Sequence, residues 1–399
     1  MKKRIVSAIR KAVGFPRLVS QLESVEQELS RLARTLDAPK QPIDPNLHCN
    51  SALFQLELAA DYREFNLWER PIQIVVRDCV EADSTILDIG GNVGGLATAF
   101  SKLVPLGRVF TFEPNPEMWP ILYGTLKINE AENVTIVPAA CFTSNLKLER
   151  FYSEQSTYKA GSRLGRKIPG ARHFDVITLS VDDFCSTNDL TPAVIKIDVE
   201  GAEIAVLRAS EAIISRYRPK IVFEYQSENS PGPDNPLTFL AERGYDFYDV
   251  NSYERVTADF YSGLPSHPTV NVFAIPSESE LGGTYSKLRK ELLHRENVSS
   301  TEATKNGVVK LEKGRYIVDV DFDMPDNDIG GLGVRIDGER RAYYSTNGRH
   351  LREHCNSNLV IEVEQAADVF VELENYTSPS ACNLKSMKIY RIELGTRRA

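Results

Sequence analysis

Asp88, Gly90, Asn92 and Gly94 fall within one short segment, Ile86-Leu87-Asp88-Ile89-Gly90-Gly91-Asn92-Val93-Gly94-Gly95, and Glu113 closes the next apolar run, Val109-Phe110-Thr111-Phe112. Each apolar stretch ends in an acid. In the first, a glycine-rich turn then opens a helical stretch at Gly94–Leu103. Glycine lets a ligand approach the backbone where a Cβ would block it. A carboxylate at the end of the second run can accept both hydroxyls of a ribose. The two turns together describe a nucleoside site at the carboxyl ends of neighbouring strands.

A nicotinamide dinucleotide is disfavoured. Its fingerprint, G-x-G-x-x-G, sets a diphosphate on a helix N-terminus. The glycines here do not keep that spacing, and Asp88 would repel phosphates. S-adenosylmethionine has no phosphate and carries an ammonium and a sulfonium, so acids suit it. On that basis Asp88 orients the amine directly or through water, Asn92 bonds the carboxylate, and Glu113 holds the ribose. Gly90 and Gly94 shape the methionine-side turn. Ala140, in Ala139-Ala140-Cys141, passes near the adenine; simple packing of small residues accounts equally well for those three.

A second acidic group lies further along. Asp198 and Glu200 flank the end of a fourth apolar run, Val194–Ile197, and Glu224 ends a fifth, Ile221–Phe223. Carboxylates crowded at adjacent strand ends either share a proton or bind a cation. The three are read as catalytic, with Asp198 as base or acceptor-binding group and no metal site; magnesium is the alternative occupant. Glu203, one helical turn on, caps or pairs within its own helix. Of six histidines, only His350 and His354 stand at helical metal-ligand spacing, and they fall in a turn-rich stretch. His173 and His267 lie in loops and are weaker candidates than the acids.

These segments also carry a resemblance. Asp88-Ile89-Gly90-Gly91-Asn92-Val93-Gly94 is similar to the D-x-G-A-N-x-G signature of the FkbM-type methyltransferase family, and Phe112-Glu113-Pro114-Asn115-Pro116 to its F-E-P-x-P. Leu179-Ser180-Val181-Asp182-Asp183-Phe184 looks like its L-D-D-F/L element. Lys196-Ile197-Asp198-Val199-Glu200-Gly201-Ala202-Glu203 resembles its K-I-D-V-E-G-A-E block, and Phe223-Glu224-Tyr225 matches the acid ending its fifth strand. Two departures stand out: Gly91 replaces the usual alanine, which should loosen the turn without altering the site, and Ser180-Val181 precedes the paired acids. The resemblance implies a class I fold, with a seven-stranded sheet whose last strand is antiparallel. It further implies methylation of an oxygen, commonly on sugars or secondary metabolites.

The elements that must position these residues are legible as alternation. Residues 58–275 alternate strand-like runs with helical stretches, the pattern of an α/β domain with a mainly parallel, Rossmann-like sheet. The strands fall at Thr85–Ile89, Val109–Phe112, Val134–Val137, Val194–Ile197 and Ile221–Tyr225, with a late pair at Tyr245–Val250 and Val270–Ala274. An insertion at Leu146–Leu179 forms a hairpin over the sheet's edge. A connector, 276–306, holds a helix around Tyr285–Leu293. Residues 307–399 alternate with period two between frequent turns and read as a β-sandwich domain. Tyr343, Tyr344 and Tyr376 near its turns could stack sugar rings, or could equally be core residues.

Residues 1–38 are a basic amphipathic and heptad helix, and 39–57 a proline-containing linker. Leu18, Leu22, Val25, Leu29, Leu32 and Leu36 form an a/d seam, which predicts a homo-oligomer through residues 18–36 by coiled-coil pairing. Residues 1–17 are basic, so they either contact an anionic membrane surface or form a solvated terminus. The whole chain of 399 residues has a net charge of -8, with Lys+Arg 47 against Asp+Glu 55. That balance argues against nucleic acid as a partner. Six cysteines without C-x-x-C spacing suggest reduced thiols, and no secretory leader is apparent, so a cytoplasmic location is expected, peripheral to the inner membrane face if residues 1–17 bind it. The function expected is S-adenosylmethionine-dependent O-methylation of a sugar hydroxyl on a glycan or glycosylated precursor. The rival is a non-catalytic glycan-binding or assembly scaffold on the same fold, which the intact Asp88, Glu113 and Asp198 disfavour.

Overall fold

The computed structural model describes residues 69–143, 145–153, 162–165, 167–226, 234–257, 269–297, 308–323, 329–347, 358–375 and 383–394. The heptad seam and the basic segment lie outside the described residues. So do the side chains of Tyr343, Tyr344 and Tyr376.

The chain enters through α1 (Arg70–Arg77), then β1 (Thr85–Ile89), α2 (Gly95–Leu103), β2 (Arg108–Phe112), α3 (Trp119–Ile128) and β3 (Val134–Val137). An inserted sheet follows, of β4 (Ala140–Cys141), β5 (Leu148–Ser153), β6 (Arg163–Leu164) and β7 (Arg172–Leu179), in the order β4-β7-β5-β6. Next come α4 (Val181–Thr187), β8 (Pro192–Ile197), α5 (Glu203–Arg208), α6 (Glu211–Tyr217), β9 (Lys220–Gln226) and α7 (Pro236–Ala241). β10 (Tyr245–Asp249), β11 (Arg255–Val256) and β12 (Thr269–Pro276) complete the main sheet.

That sheet has eight strands in the order β11-β10-β12-β9-β8-β1-β2-β3. The run from β3 to β9 is parallel, and β12 inserts antiparallel between β9 and β10. This is the expected class I arrangement, with the two-residue β11 added at one edge. Strand composition explains the burial. Ile86, Val109, Val194, Val222 and Phe273 face one side with α1 and α2; Leu87, Phe110, Ile195 and Phe223 face the other. Both faces are covered, as a parallel sheet requires.

Where the sequence predicts a helix around Tyr285–Leu293, the structure has α8 (Glu280–Tyr285) and then a strand, β13 (Arg289–Asn297). Ser279 caps α8 by accepting from the Gly282 N–H at 2.9 Å. The Glu-Leu-Leu stretch has helical propensity, but as a strand it pairs antiparallel with β20 (Asn383–Glu393), from Arg289↔Glu393 to Asn297↔Ser386. The ladder covers an edge that would otherwise be open, and tertiary pairing overrides local preference. Between them lie β14 (Val309–Leu311), β15 (Gly314–Asp323), β16 (Ile329–Ile336), β17 (Glu339–Asn347), β18 (Asn358–Val363) and β19 (Ala367–Asn375). They form two four-stranded antiparallel sheets, β13-β20-β15-β18 and β14-β19-β16-β17. Val318, Val320, Val334, Ile361, Val371 and Ile389, drawn from both sheets, share one apolar core.

These C-terminal sheets are welded to the domain of the main sheet. Ile317, Val360 and Ile392 pack in the same cluster as Ile72, Ile74 and Phe273. Arg315 forks onto Asp78, directly after α1, at 2.7 and 2.8 Å, and reaches Glu362 at 3.0 Å. Tyr285 donates to the same Asp78 carboxylate at 2.8 Å, and Arg77 pairs with Glu362. Removing Arg315 would leave two largely buried carboxylates short of a partner. Arg315→Ala should therefore cost about 3 kcal/mol of unfolding free energy, the low end for breaking a buried pair, because Tyr285 and Arg77 remain. Denaturant unfolding of the full chain measures it; a loss within experimental error would show that the two units are joined by the apolar contact alone. Among the described residues, no helix is long and apolar enough to cross a membrane.

Candidate active site

A row of side chains across three adjacent strands builds the floor. Register places Asp88 of β1 opposite Thr111 of β2 and opposite Lys196 of β8, all on one face of the sheet. The Thr111 hydroxyl donates to Asp88 Oδ2 at 2.9 Å; Lys196 Nζ lies 3.7 Å from Asp88 Oδ1 and 3.5 Å from Asp198 Oδ2. Lys196 also donates to the Gly90 carbonyl at 3.1 Å. Burial works against its charge, yet Asp198, Asp88 and Glu69 together hold the Lys196 ammonium well above its ordinary range. Burial pushes the Asp88 carboxyl up, partly offset by Lys196 and Thr111.

Above that floor the glycine turn runs between strand ends. Gly90 has φ +89°, and a Cβ there would fall 1.7 Å from the Asp198 carbonyl oxygen. The Gly90 and Gly91 N–H groups both donate to the Phe112 carbonyl. Gly91 is not a neutral departure from alanine, as the sequence comparison suggests. A Cβ at 91 would stand 2.0 Å from Thr111 Oγ1, the hydroxyl that anchors Asp88. Glycine at 91 and threonine at 111 therefore form one unit. Gly94, at φ +87°, is the N-cap of α2 and packs against Leu122.

Glu113 receives backbone donors on each oxygen, from Asn92 at 2.8 Å and Asn115 at 2.7 Å. Each oxygen keeps a lone pair for a ribose hydroxyl. Burial raises the Glu113 carboxyl to about 7, against these two donors. The turn that carries it is braced: Trp119 Nε1 donates to the Glu113 carbonyl at 2.7 Å, and Asn115 Nδ2 donates to Ser153 of β5 at 3.1 Å. The inserted hairpin is thereby fastened beside the cofactor end.

Asp198, Glu200 and Glu224 do converge. Each offers a carboxylate oxygen, and these lie within 4.8 Å of one another. Glu200 stands at φ +57°, a strained backbone that aims the chain out of β8 toward this cluster. Glu203 accepts from the Val199 and Gly201 N–H groups at 3.2 and 3.0 Å, so it fixes the turn and does not join the cluster. His173 sits on β7 against the Tyr152 ring, away from the acids; His267 lies outside the described residues.

One cavity of about 380 Å³ gathers these parts. Gly90, Asn92, Glu113, Ala140, Asp198, Glu200 and Glu224 line it, and Gly94 shapes its turn from behind. Asp88 does not line it: the carboxylate is fully buried beneath the turn, so it supports the site and does not face a ligand. Two charged lining residues carry no role in the sequence reading, Lys196 and Glu69. Lys196 was legible, standing two residues before Asp198 on the face that β8 shares with Asp88. Glu69 carried no local signal.

The residues present fit S-adenosylmethionine. The Gly90 cradle leaves no room for a Cβ, Glu113 has two free acceptor positions, and Asn92 Oδ1 is buried with no hydrogen bond. If Glu113 must ionise to accept the ribose hydroxyls, binding releases a proton. Cofactor affinity should then rise with pH through about 7 and flatten above, falling at most about tenfold per unit on the acid side. The ligand-free fold has the opposite slope: its stability contribution from neutral Glu113 is complete below the ordinary carboxylate value and is lost as pH climbs through about 7. Glu113→Ala should weaken binding by roughly 1–3 kcal/mol and make that profile shallower. Calorimetry from pH 5.5 to 8.5 (about three units, bracketing the shift) checks both; a wild-type affinity independent of pH would contradict the ribose assignment.

No curated protein matches this sequence. Among solved structures, an FkbM methyltransferase from Methylobacillus flagellatus is similar at 14% identity and a TM-score of 0.32, covering 65% of this chain and 60% of that one. The present chain thus spans under two thirds of that relative's length. A precorrin-6y C5,15-methyltransferase from Geobacter metallireducens gives 16% identity and a TM-score of 0.29, over 59% of this chain and 94% of that one. Aeropyrum pernix fibrillarin, in complex with natively bound S-adenosyl-L-methionine, gives 11% and 0.31, over 53% and 76%. Residues 88–247, the segment that holds the glycine turn, Glu113 and the three convergent carboxylates, match the model of the methyltransferase FkbM domain.

Proposed function

We propose that the protein is an S-adenosylmethionine-dependent O-methyltransferase acting on a sugar hydroxyl of a glycan or glycosylated precursor. The observation that carries this reading is the convergence of Asp198, Glu200 and Glu224 in the same cavity as the cofactor-type turn. Bound S-adenosylmethionine supplies a methyl group activated by its sulfonium. The protein's own work is placement and proton handling. Asp198 accepts the proton or hydrogen bond of the hydroxyl to be methylated, a contribution typical of general bases. The Glu200 and Glu224 carboxylates supply further oxygens, which suits the neighbouring hydroxyls of a sugar. Fixing the acceptor oxygen in line with the methyl group provides much of the rate.

Mass spectrometry of surface glycans from cells with the wild-type protein and with Asp198→Asn tests the acceptor. One methyl group per modified sugar, present only with the wild type, supports the reading; identical glycans would sink it. The three oxygens are also hard ligands that magnesium could take. Activity lost to a chelator and restored by magnesium would assign the cluster to that ion; activity unchanged by the chelator would leave it to the hydroxyls.

The assembly belongs to the same reading: chains pair through residues 18–36, while residues 1–17 either contact an anionic membrane surface or form a solvated terminus. Light scattering of the full chain and of one lacking residues 1–38 should show fewer chains per particle after deletion, and equal numbers would refute the pairing.

A further inference from the structure

α1 brings another carboxylate to the cavity. Glu69, the residue before its first turn, lines the wall beside Pro71 and Ile72. It does not cap its own helix, since its side chain makes no bond to the free N–H groups there. Gly90, Lys196 and Asp198, from the β1–β8 end of the main sheet, line the same cavity. Burial raises its carboxyl to about 7.

Charge in this cavity is one-sided. Its described lining holds the carboxylates of Glu69, Glu113, Asp198, Glu200 and Glu224 against a single ammonium, Lys196. Lys196 is already engaged by Asp88, Asp198 and the Gly90 carbonyl. Asp88 is sealed beneath the turn with Thr111 and Lys196 as partners. Asp198 carries the Lys196 contact, and Glu113 both backbone donors. Glu69 remains as the acid at the methionine end whose carboxylate meets the cavity without an ion pair among the described residues.

Its position is held from far away. α1 spans about 12 Å at 1.5 Å per residue. Its other end is fixed by Arg315 and Tyr285 on Asp78, and by Glu362 on Arg77. Ile72, Ile74, Val75 and Val76 are buried along its length, so the helix cannot slide without breaking core contacts.

We infer that Glu69 binds the α-ammonium of the methionine end of S-adenosylmethionine, the role that the sequence alone assigns to Asp88. The inference rests on the cofactor assignment and is independent of the acceptor. A carboxylate on the cavity wall is the complement of an ammonium that must leave water.

Two probes separate this role from a structural one. S-adenosylhomocysteine carries the ammonium, whereas 5′-methylthioadenosine keeps the adenosine and sulfur but ends in a methyl group. Each is titrated calorimetrically into full-length wild type and Glu69→Gln, the weaker probe being read by displacement where its heat is small. Glu69→Gln should weaken S-adenosylhomocysteine by roughly tenfold or more, the value of a charge-assisted hydrogen bond, and leave 5′-methylthioadenosine within about twofold. Equal weakening of both would show that Glu69 only shapes the cavity, and overturns the inference. Unchanged binding of both overturns it as well, placing the ammonium elsewhere. A wild type that binds neither probe removes the cofactor assignment itself and this inference with it.

Discussion

Asp198→Asn lowers turnover by about 10²- to 10⁴-fold and leaves S-adenosylmethionine affinity nearly unchanged. Asparagine keeps the size of the side chain and one acceptor oxygen, but it cannot take a proton. The backbone of residue 198 does the structural work: its N–H donates to the Ile89 carbonyl at 2.9 Å, and its carbonyl packs against Gly90. Neither contact involves the side chain, so the turn should survive. The Asp198 carboxylate is partly exposed to the cavity, with Lys196 as its 3.5 Å neighbour. Steady-state kinetics and a binding titration on the same variant separate the effects. Turnover within a few-fold of wild type would move the base to Glu200 or Glu224.

Gly90→Ala acts on the other half of the site, and its effect is on binding and stability together. At φ +89° a side chain is strained whatever the space, and here the space is absent: the new Cβ would stand 1.7 Å from the Asp198 carbonyl oxygen. β1 and β8 are hydrogen-bonded neighbours, so relief requires parting them at the point where cofactor and base must meet. Backbone strain and overpacking together predict a loss of about 2–6 kcal/mol of stability. Cofactor affinity should fall by about a hundredfold, equivalent to roughly 3 kcal/mol. Gly283→Ala is the control. Its Cβ would meet nothing within 4 Å, and it lies inside α8, where alanine is favoured by about 1 kcal/mol. Thermal unfolding and titration of both variants decide; a Gly90→Ala protein as stable and as tightly binding as the control would mean the turn is not the cofactor cradle.

Much of this site was legible because its parts are local. A strand-ending acid followed by glycines fixes its own turn, and β1 and β3 begin and end at the expected residues. Asp198, Glu200 and Glu224 converge because β8 and β9 are neighbours whose carboxyl ends meet. The misplacement of Asp88 has a simple cause. Side chains alternate along a strand, so Asp88 must share a face with Ile86, under α1 and α2, and not rise into the turn after Ile89. Applied to β8, the same alternation pairs Lys196 with Asp88 across the sheet. Glu69 and the Arg315–Asp78 clamp were beyond reach for a different reason. They depend on contacts between segments distant in sequence, which no local pattern encodes. The β13 strand failed likewise, since its partner β20 lies near the other end of the described chain.

The account stands most directly on one titration, of the full-length protein with S-adenosylmethionine by isothermal calorimetry. It predicts saturable binding with one molecule per chain, strengthening as the pH rises through about 7 and weakened by Glu113→Ala. No heat of binding at millimolar cofactor, in protein shown to be folded, would contradict it and leave the cavity to some other ligand.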